Sequence, residues 1–154
     1  MRNIRMMGSW VLALFLGVMF LWIADLTLFP PTPGKNVVFP LLAENSGIYL
    51  WEPTGRLAVG LLHAFAALLL IVPWTRRIGA VLALVIALGA VAAHVLWLDV
   101  AIPSEFGSTA TDGGQLFYLA IALAVASLAL AFIHPGKPAS NGQEKSSAPG
   151  YYAH

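Results

Sequence analysis

Four apolar stretches of about 20 residues each, almost free of charge, constrain what this chain can fold into. They cover residues 9–28, 55–72, 78–98 and 116–133. A helix of about 20 apolar residues crosses the hydrocarbon core of a bilayer. Charged residues are only 10% of the chain, against about 25% in a typical soluble domain, which is too few to cover a water-facing surface. We therefore predict an all-α membrane protein whose single domain, 1–134, crosses the bilayer four times.

The first apolar stretch has some features of a secretory signal peptide, since Arg2 and Arg5 precede it. However, it is longer than the roughly 7–15 apolar residues of a signal peptide, and no A-x-A cleavage site follows it. We therefore expect this stretch to remain in the protein as the first membrane span.

The distribution of lysine and arginine predicts how the spans are oriented, because cytoplasmic segments carry an excess of these residues. If the chain crosses the bilayer at each stretch, Lys35 and Arg56 lie on one side with most of the acidic residues. The other six basic residues lie on the opposite side: Arg2, Arg5, Arg76, Arg77, Lys137 and Lys145. We predict an up-down-up-down four-helix bundle in the inner membrane of a bacterium, with both termini in the cytoplasm.

The connecting segments differ in composition. Segment 29–54 begins with Pro30, Pro31 and Pro33, which cannot continue a helix, and we predict an outer loop whose apolar part, 37–42, lies in the headgroup layer. The final segment, 135–154, is rich in Gly, Pro, Ser and Lys, a composition typical of disorder. We expect it to be a disordered cytoplasmic tail.

Small residues recur at helical spacing in every span, and we expect them to form the contacts between helices. In a bilayer, helices associate where small side chains let their backbones approach closely. The residues concerned are Ala13, Gly17, Ala24, Gly60, Ala64, Ala67, Gly79, Ala83, Ala87, Ala90, Ala120, Ala124, Ser127 and Ala131.

Four ionisable residues fall in or at the edge of the predicted outer half of the spans, namely Asp25, Arg56, His63 and His94. Ionisable groups at such positions are costly and commonly mark functional sites. Arg56 and His63 are seven residues apart and share a helix face. We predict that all four converge on a ligand-binding pocket opening outward, with Asp25 paired to Arg56 because each is costly to bury alone.

Each of these residues also has a purely structural interpretation. Arg56 can extend to the headgroups, Asp25 can merely neutralise it, and His94 can be interfacial with Trp97. His63 can bond to a neighbouring hydroxyl or carbonyl group. We do not expect haem, because helical rise puts His63 and His94 roughly 6 Å apart in depth. We predict no metal site, since the chain has no cysteine and a site needs three or four converging ligands.

Three motifs resemble the DoxX-like family of small four-helix membrane proteins: EPTGRLAVGLLH at 52–63, TRRIGA at 75–80 and GAVAAH at 89–94. The resemblance covers about 45 residues of the second and third spans. Arg56 and Gly60 match the family pattern. The family often has a glutamate where this chain has His63, so an acid is replaced by a group that titrates near neutrality.

The resemblance implies a four-helix fold and a place in redox-linked membrane complexes, because one family member is named as a subunit of a terminal quinol oxidase and thiosulfate:quinone oxidoreductase. We therefore expect an accessory or small subunit of a quinone-linked respiratory complex, with no catalytic activity of its own. Its expected partners are the lipid bilayer and a larger membrane complex, without nucleic acid. The expected ligand is a quinone head group.

Two other functions are compatible with the sequence. The chain can be a purely structural subunit that packs on a larger membrane partner, with its polar groups as internal contacts. It can also be a homo-oligomeric transporter of small solutes, although the spans are not broken by Gly or Pro and no inverted repeat is visible, as in many transporters.

Overall fold

The computed structural model describes residues 2–30, 36–105 and 107–133, and these residues form an all-α fold, as predicted. Its five α-helices are α1 (Arg2–Leu28), α2 (Val38–Ser46), α3 (Thr54–Ile71), α4 (Arg76–Ala93) and α5 (Gln115–Ile133). A 3₁₀ turn, Tyr49–Trp51, precedes α3, and a π-helical turn, His94–Leu98, continues α4. The described residues contain no β-strand. The predicted disordered tail, 135–154, lies outside the described residues.

Four helical segments are long and apolar enough to cross a membrane: Ile4–Leu28, Thr54–Ile71, Arg76–Leu98 and Gln115–Ile133. They agree with the four predicted spans, although the first begins earlier because apolar residues continue towards the N-terminus. Only 22–28% of each segment is buried inside the bundle. The remaining side chains are mostly apolar and face outward, which indicates a multi-pass membrane protein in contact with lipid.

The four long helices form a closed ring in which α1 packs on α3, α3 on α4, α4 on α5, and α5 on α1. Their shared core contains a few large side chains, including Leu16, Phe20 and Leu70, among many alanines. The predicted small-residue contacts are confirmed for most positions, because the buried residues include Ala13, Gly17, Ala24, Gly60, Ala67, Gly79, Ala83, Ala87, Ala120, Ala124 and Ser127.

Helix α2 lies within the segment predicted to be an outer loop, and it is an ordered part of the bundle. Val37 and Leu42 are buried against Leu98 and Ile102, in a small apolar cluster separate from the main core. The Asn45 side-chain amide also donates a hydrogen bond of 2.7 Å to the carbonyl oxygen of Trp97. These contacts hold α2 against the π-helical turn, and we call this end of the bundle the α2 end.

Arg76, one of the six basic residues that the sequence places on one side of the membrane, is buried in the bundle. Its side chain is only 1% exposed and donates from Nε to the carbonyl oxygen of Leu70 at 3.1 Å. Its guanidinium also stacks over the Trp10 ring, 3.9 Å from the ring centroid. The last carbonyl groups of a helix attract cations, so Arg76 caps the end of α3 instead of facing water. The neighbouring Arg77 is exposed.

Candidate functional site

A cavity of about 260 Å³ lies inside the bundle near the α2 end. All five α-helices contribute to its wall, and most of the wall is apolar. The lining residues include Phe20, Ile23, Val59, Ile86, Ala87, Ala90, Leu119, Ala120 and Leu123. Both predicted histidines, His63 and His94, belong to the same wall. The structure therefore brings together two of the four predicted site residues.

His63 is buried on α3, with one ring nitrogen committed to its own helix. Its Nδ1 lies 2.8 Å from the carbonyl oxygen of Val59, one turn earlier. The ring also packs against Phe20 of α1, with 5.1 Å between the ring centroids. These two contacts fix the orientation of the imidazole against the cavity.

His94 begins the π-helical turn and is also buried. Its Nδ1 lies 2.7 Å from the carbonyl oxygen of Asp99, and its ring packs edge-on against Phe117 of α5 at 5.7 Å. Asp99 ends the turn with a φ of 62°, a backbone region that non-glycine residues rarely occupy. Single π-helical turns and such backbone outliers are both frequent at functional sites, which makes the placement of His94 a candidate functional feature.

Besides the histidines and the indole of Trp22, the polar part of the wall comes from Thr27 and Asn36, at the end of α1 and just before α2. Sequence reasoning missed both, although each is a polar residue flanking a predicted span.

Trp22 and Leu26 of α1 and Leu116 of α5 also line the cavity, yet their side chains are exposed on the outside of the bundle. The cavity therefore reaches the bundle surface between α1 and α5, the face that meets lipid in a membrane. We call this the α1–α5 opening.

The predicted ion pair between Arg56 and Asp25 is wrong. Arg56 Nε lies 2.9 Å from a carboxylate oxygen of Glu52, four residues earlier in the chain and just before α3, and Nη1 donates to the carbonyl oxygen of Thr27 at 2.7 Å. Asp25 is exposed. Neither Arg56 nor Asp25 lines the cavity. These two predicted site residues therefore lie apart from the histidines. The physical reason is that Glu52, only four residues before Arg56, reaches the guanidinium, whereas Asp25 is exposed on the outside of the bundle.

Asp112 secures the loop that leads from the π-helical turn to α5. Its carboxylate accepts hydrogen bonds from the backbone N–H groups of Ile102 (3.0 Å), Gly114 (3.0 Å) and Leu116 (3.1 Å). Burial alone would raise the pKa of Asp112, but these three hydrogen bonds and the nearby His94 together hold the pKa below its usual value. A charged Asp112 therefore stabilises the loop beside His94.

No protein-family model, curated protein or solved structure matches the chain. The likeness to the DoxX-like family therefore rests on the three sequence motifs, and what it implies about function stays a proposal.

The chemistry available in the cavity is that of two imidazole rings in mostly apolar surroundings. The described residues contain no group of three or more His, Asp or Glu side chains that could hold a metal ion. Imidazole nitrogens can donate or accept hydrogen bonds and can bind or release a proton. The arrangement is suited to a small, mostly apolar ring compound that carries a few polar atoms.

Proposed function

We propose that this protein is a DoxX-like accessory or small subunit of a quinone-linked redox complex in the inner membrane of a bacterium. In this proposal it binds a quinone head group in the cavity near the α2 end. It has no catalytic activity of its own and acts by holding the ring beside a larger membrane partner.

The observation that carries the proposal is the pairing of His63 and His94 on one apolar cavity that reaches the lipid-facing surface. Ligand pockets are mostly apolar with a small number of polar groups that fix orientation. A quinone head group has this character, because it is a flat ring with polar atoms on opposite edges. The α1–α5 opening gives a membrane-soluble molecule a direct route, since its apolar tail can stay in the lipid.

The size of the cavity favours a single ring. Its volume of about 260 Å³ lies just under the roughly 300–1,000 Å³ of pockets that hold drug-sized ligands. A quinone ring whose tail extends through the α1–α5 opening fits this space.

The up-down-up-down arrangement is supported by contacts at both ends of α1 and α3. Gly17 of α1 lies against Ala67 and Ile71 near the end of α3, whereas Gly60 near the start of α3 lies against Thr27 and Leu28. Contacts in this order are those of antiparallel neighbours. The distribution of lysine and arginine supports cytoplasmic termini, which would put the α2 end and the cavity on the opposite side of the membrane.

The test is to purify the protein from its native membrane in mild detergent and to measure extractable quinone per chain. We expect quinone to be retained, to be lost in the His63→Leu/His94→Leu double variant, and to stay in Ser127→Ala. Ser127 is buried in the same bundle but does not line the cavity, so it controls for disturbance of the core.

Co-purifying proteins are identified in the same preparation. A redox enzyme in fixed ratio to the chain supports the proposed complex. If such a partner is present but the protein neither retains nor binds added quinone in either its oxidised or its reduced form, the purely structural subunit becomes the correct function. A homo-oligomer without partner or quinone instead favours the transporter.

A further inference from the structure

The hydrogen bonds of His63 and His94 determine which ring nitrogen carries the proton. In both residues Nδ1 contacts a backbone carbonyl oxygen, that of Val59 at 2.8 Å and that of Asp99 at 2.7 Å. A carbonyl oxygen can only accept a hydrogen bond, so Nδ1 must donate in both rings. In the neutral imidazole, Nε2 then has no proton and presents a lone pair.

The two Nε2 atoms are the ring nitrogens that remain for a ligand. Within the part of the chain that the structure describes, neither Nε2 has a hydrogen-bond partner. Both rings line the cavity, and in each the Nδ1 edge is turned to the protein backbone. The cavity thus offers two hydrogen-bond acceptors from its histidines and no histidine donor.

We infer that the cavity selects a ring compound with hydroxyl donors, and therefore holds the reduced, hydroquinone form of its ligand in preference to the oxidised quinone. The inference rests on the proposed function and specifies which redox form is bound. A hydroquinone carries two O–H groups that can donate to Nε2 of His63 and His94. A quinone carries only carbonyl oxygens, which would face the same lone pairs and leave both partners without a hydrogen bond.

The other polar wall residues do not reverse this preference. The hydroxyl group of Thr27 and the amide group of Asn36 can each both donate and accept hydrogen bonds, so they can serve either redox form. The indole N–H of Trp22 can only donate, but this side chain is half exposed at the α1–α5 opening, away from the two buried histidines. No carboxylate, Lys or Arg of the described residues lines the cavity. Discrimination between the two forms therefore depends on the two imidazoles.

The experiment measures binding of tetramethylhydroquinone and of tetramethylbenzoquinone to the full chain in detergent, without oxygen, by calorimetry at pH 8. A blank titration into the same detergent without protein corrects for partition into micelles. Two neutral hydrogen bonds correspond to an affinity ratio of roughly 10- to 100-fold, so we expect the hydroquinone to bind tighter by about that factor. The ratio in the unmodified protein needs no variant and does not depend on how a variant folds.

The variants His63→Leu and His94→Leu should each reduce the ratio several-fold, mainly by weakening hydroquinone binding, while Ser127→Ala should keep it. If both redox forms bind with equal affinity, or the quinone binds tighter, the inference is wrong and the proposed quinone site still stands. If neither form binds to the unmodified protein, the inference and the proposed quinone site fail together.

Discussion

Gly79 of α4 lies so close to Leu70 of α3 that a Cβ atom added at Gly79 would be 2.7 Å from the backbone nitrogen of Leu70. Because the neighbouring atoms are backbone, they cannot move aside without shifting one helix. We expect Gly79→Ala to lower the free energy of unfolding by about 1–3 kcal/mol through overpacking. Thermal unfolding in mild detergent, followed by circular dichroism, measures this change.

Gly89 provides the matched control, because it lies on the same helix and a Cβ atom there meets nothing within 4 Å. Replacing glycine by alanine inside a helix is otherwise favourable by about 0.5–1 kcal/mol. Gly89→Ala should therefore leave stability unchanged or slightly higher. Equal effects of the two substitutions would show that α3 and α4 do not meet closely at Gly79.

Stability near neutral pH should depend on the charge of Asp112. Its pKa is held below the unfolded value of 3.8, so its contribution is fully present above that value and is lost as the pH falls through the folded pKa. Asp112→Asn removes one acceptor of a backbone N–H group and should destabilise the protein by about 1 kcal/mol at pH 7.

The measurement compares the midpoint of thermal unfolding of the Asp112→Asn variant with that of the unmodified protein between pH 7 and pH 3. The difference should shrink as the pH falls below the unfolded value of 3.8, because the charge of Asp112 then stabilises the folded protein less. Glu105→Gln serves as the control, since Glu105 is an exposed acidic residue in the same loop. A constant difference across the range would mean that Asp112 does not act through its charge.

Arg56 should matter more to stability than Asp25. Replacement by glutamine removes a charged hydrogen bond to Glu52 and the bond to the Thr27 carbonyl, and each hydrogen bond to a charged group contributes about 1.5–3 kcal/mol. Asp25→Asn, at an exposed position, should stay within about 0.5 kcal/mol. A double-mutant cycle between Glu52→Gln and Arg56→Gln should show coupling, and one between Asp25→Asn and Arg56→Gln should show none.

These contacts show which features could be predicted from the sequence. The length of apolar runs and the helical spacing of small residues depend only on geometry, and they correctly gave the four long helices and the buried faces. The Glu52–Arg56 pair was also predictable, because its two opposite charges are only four residues apart in the chain, although Glu52 lies just before α3. The predicted pairing of Arg56 with Asp25 has no such support, because Asp25 is distant in the sequence and no spacing relates the two residues.

Other features depend on how the helices meet. Helix α2 is short, and its position is set by contacts with Leu98 and Ile102, which lie far away in sequence. Burial of Arg76 requires the end of α3 and the ring of Trp10 to be in place first. The cavity is a gap left between five helices, so a sequence pattern could identify His63 and His94 but not the space that they share.

The proposed orientation places both termini in the cytoplasm. A reporter enzyme that is active only outside the cytoplasm should be silent when fused after His154. The same reporter should be active when inserted in residues 109–113, between the π-helical turn and α5. The reverse pattern would show that the proposed orientation is wrong and would place the cavity on the cytoplasmic side.

Two alanines one helical turn apart on α4, Ala83 and Ala87, face different surroundings: the tightly packed core and the cavity. The sequence alone places Ala87 among the small residues expected to form contacts between helices. However, Ala87 lines the cavity whereas Ala83, which is fully buried, does not. A leucine side chain at 87 can extend into the cavity, so it should change stability by less than about 1 kcal/mol, while Ala83→Leu should cost about 1–3 kcal/mol.

The same pair tests the ligand site, because a leucine at 87 would occupy part of the space that the ring needs. We expect Ala87→Leu to weaken binding of tetramethylhydroquinone at least tenfold although the protein remains folded. Binding and thermal unfolding are measured on the same preparations of both variants. Unchanged binding by Ala87→Leu would show that the ring binds elsewhere, and a large loss of stability would show that the cavity does not accommodate the added side chain.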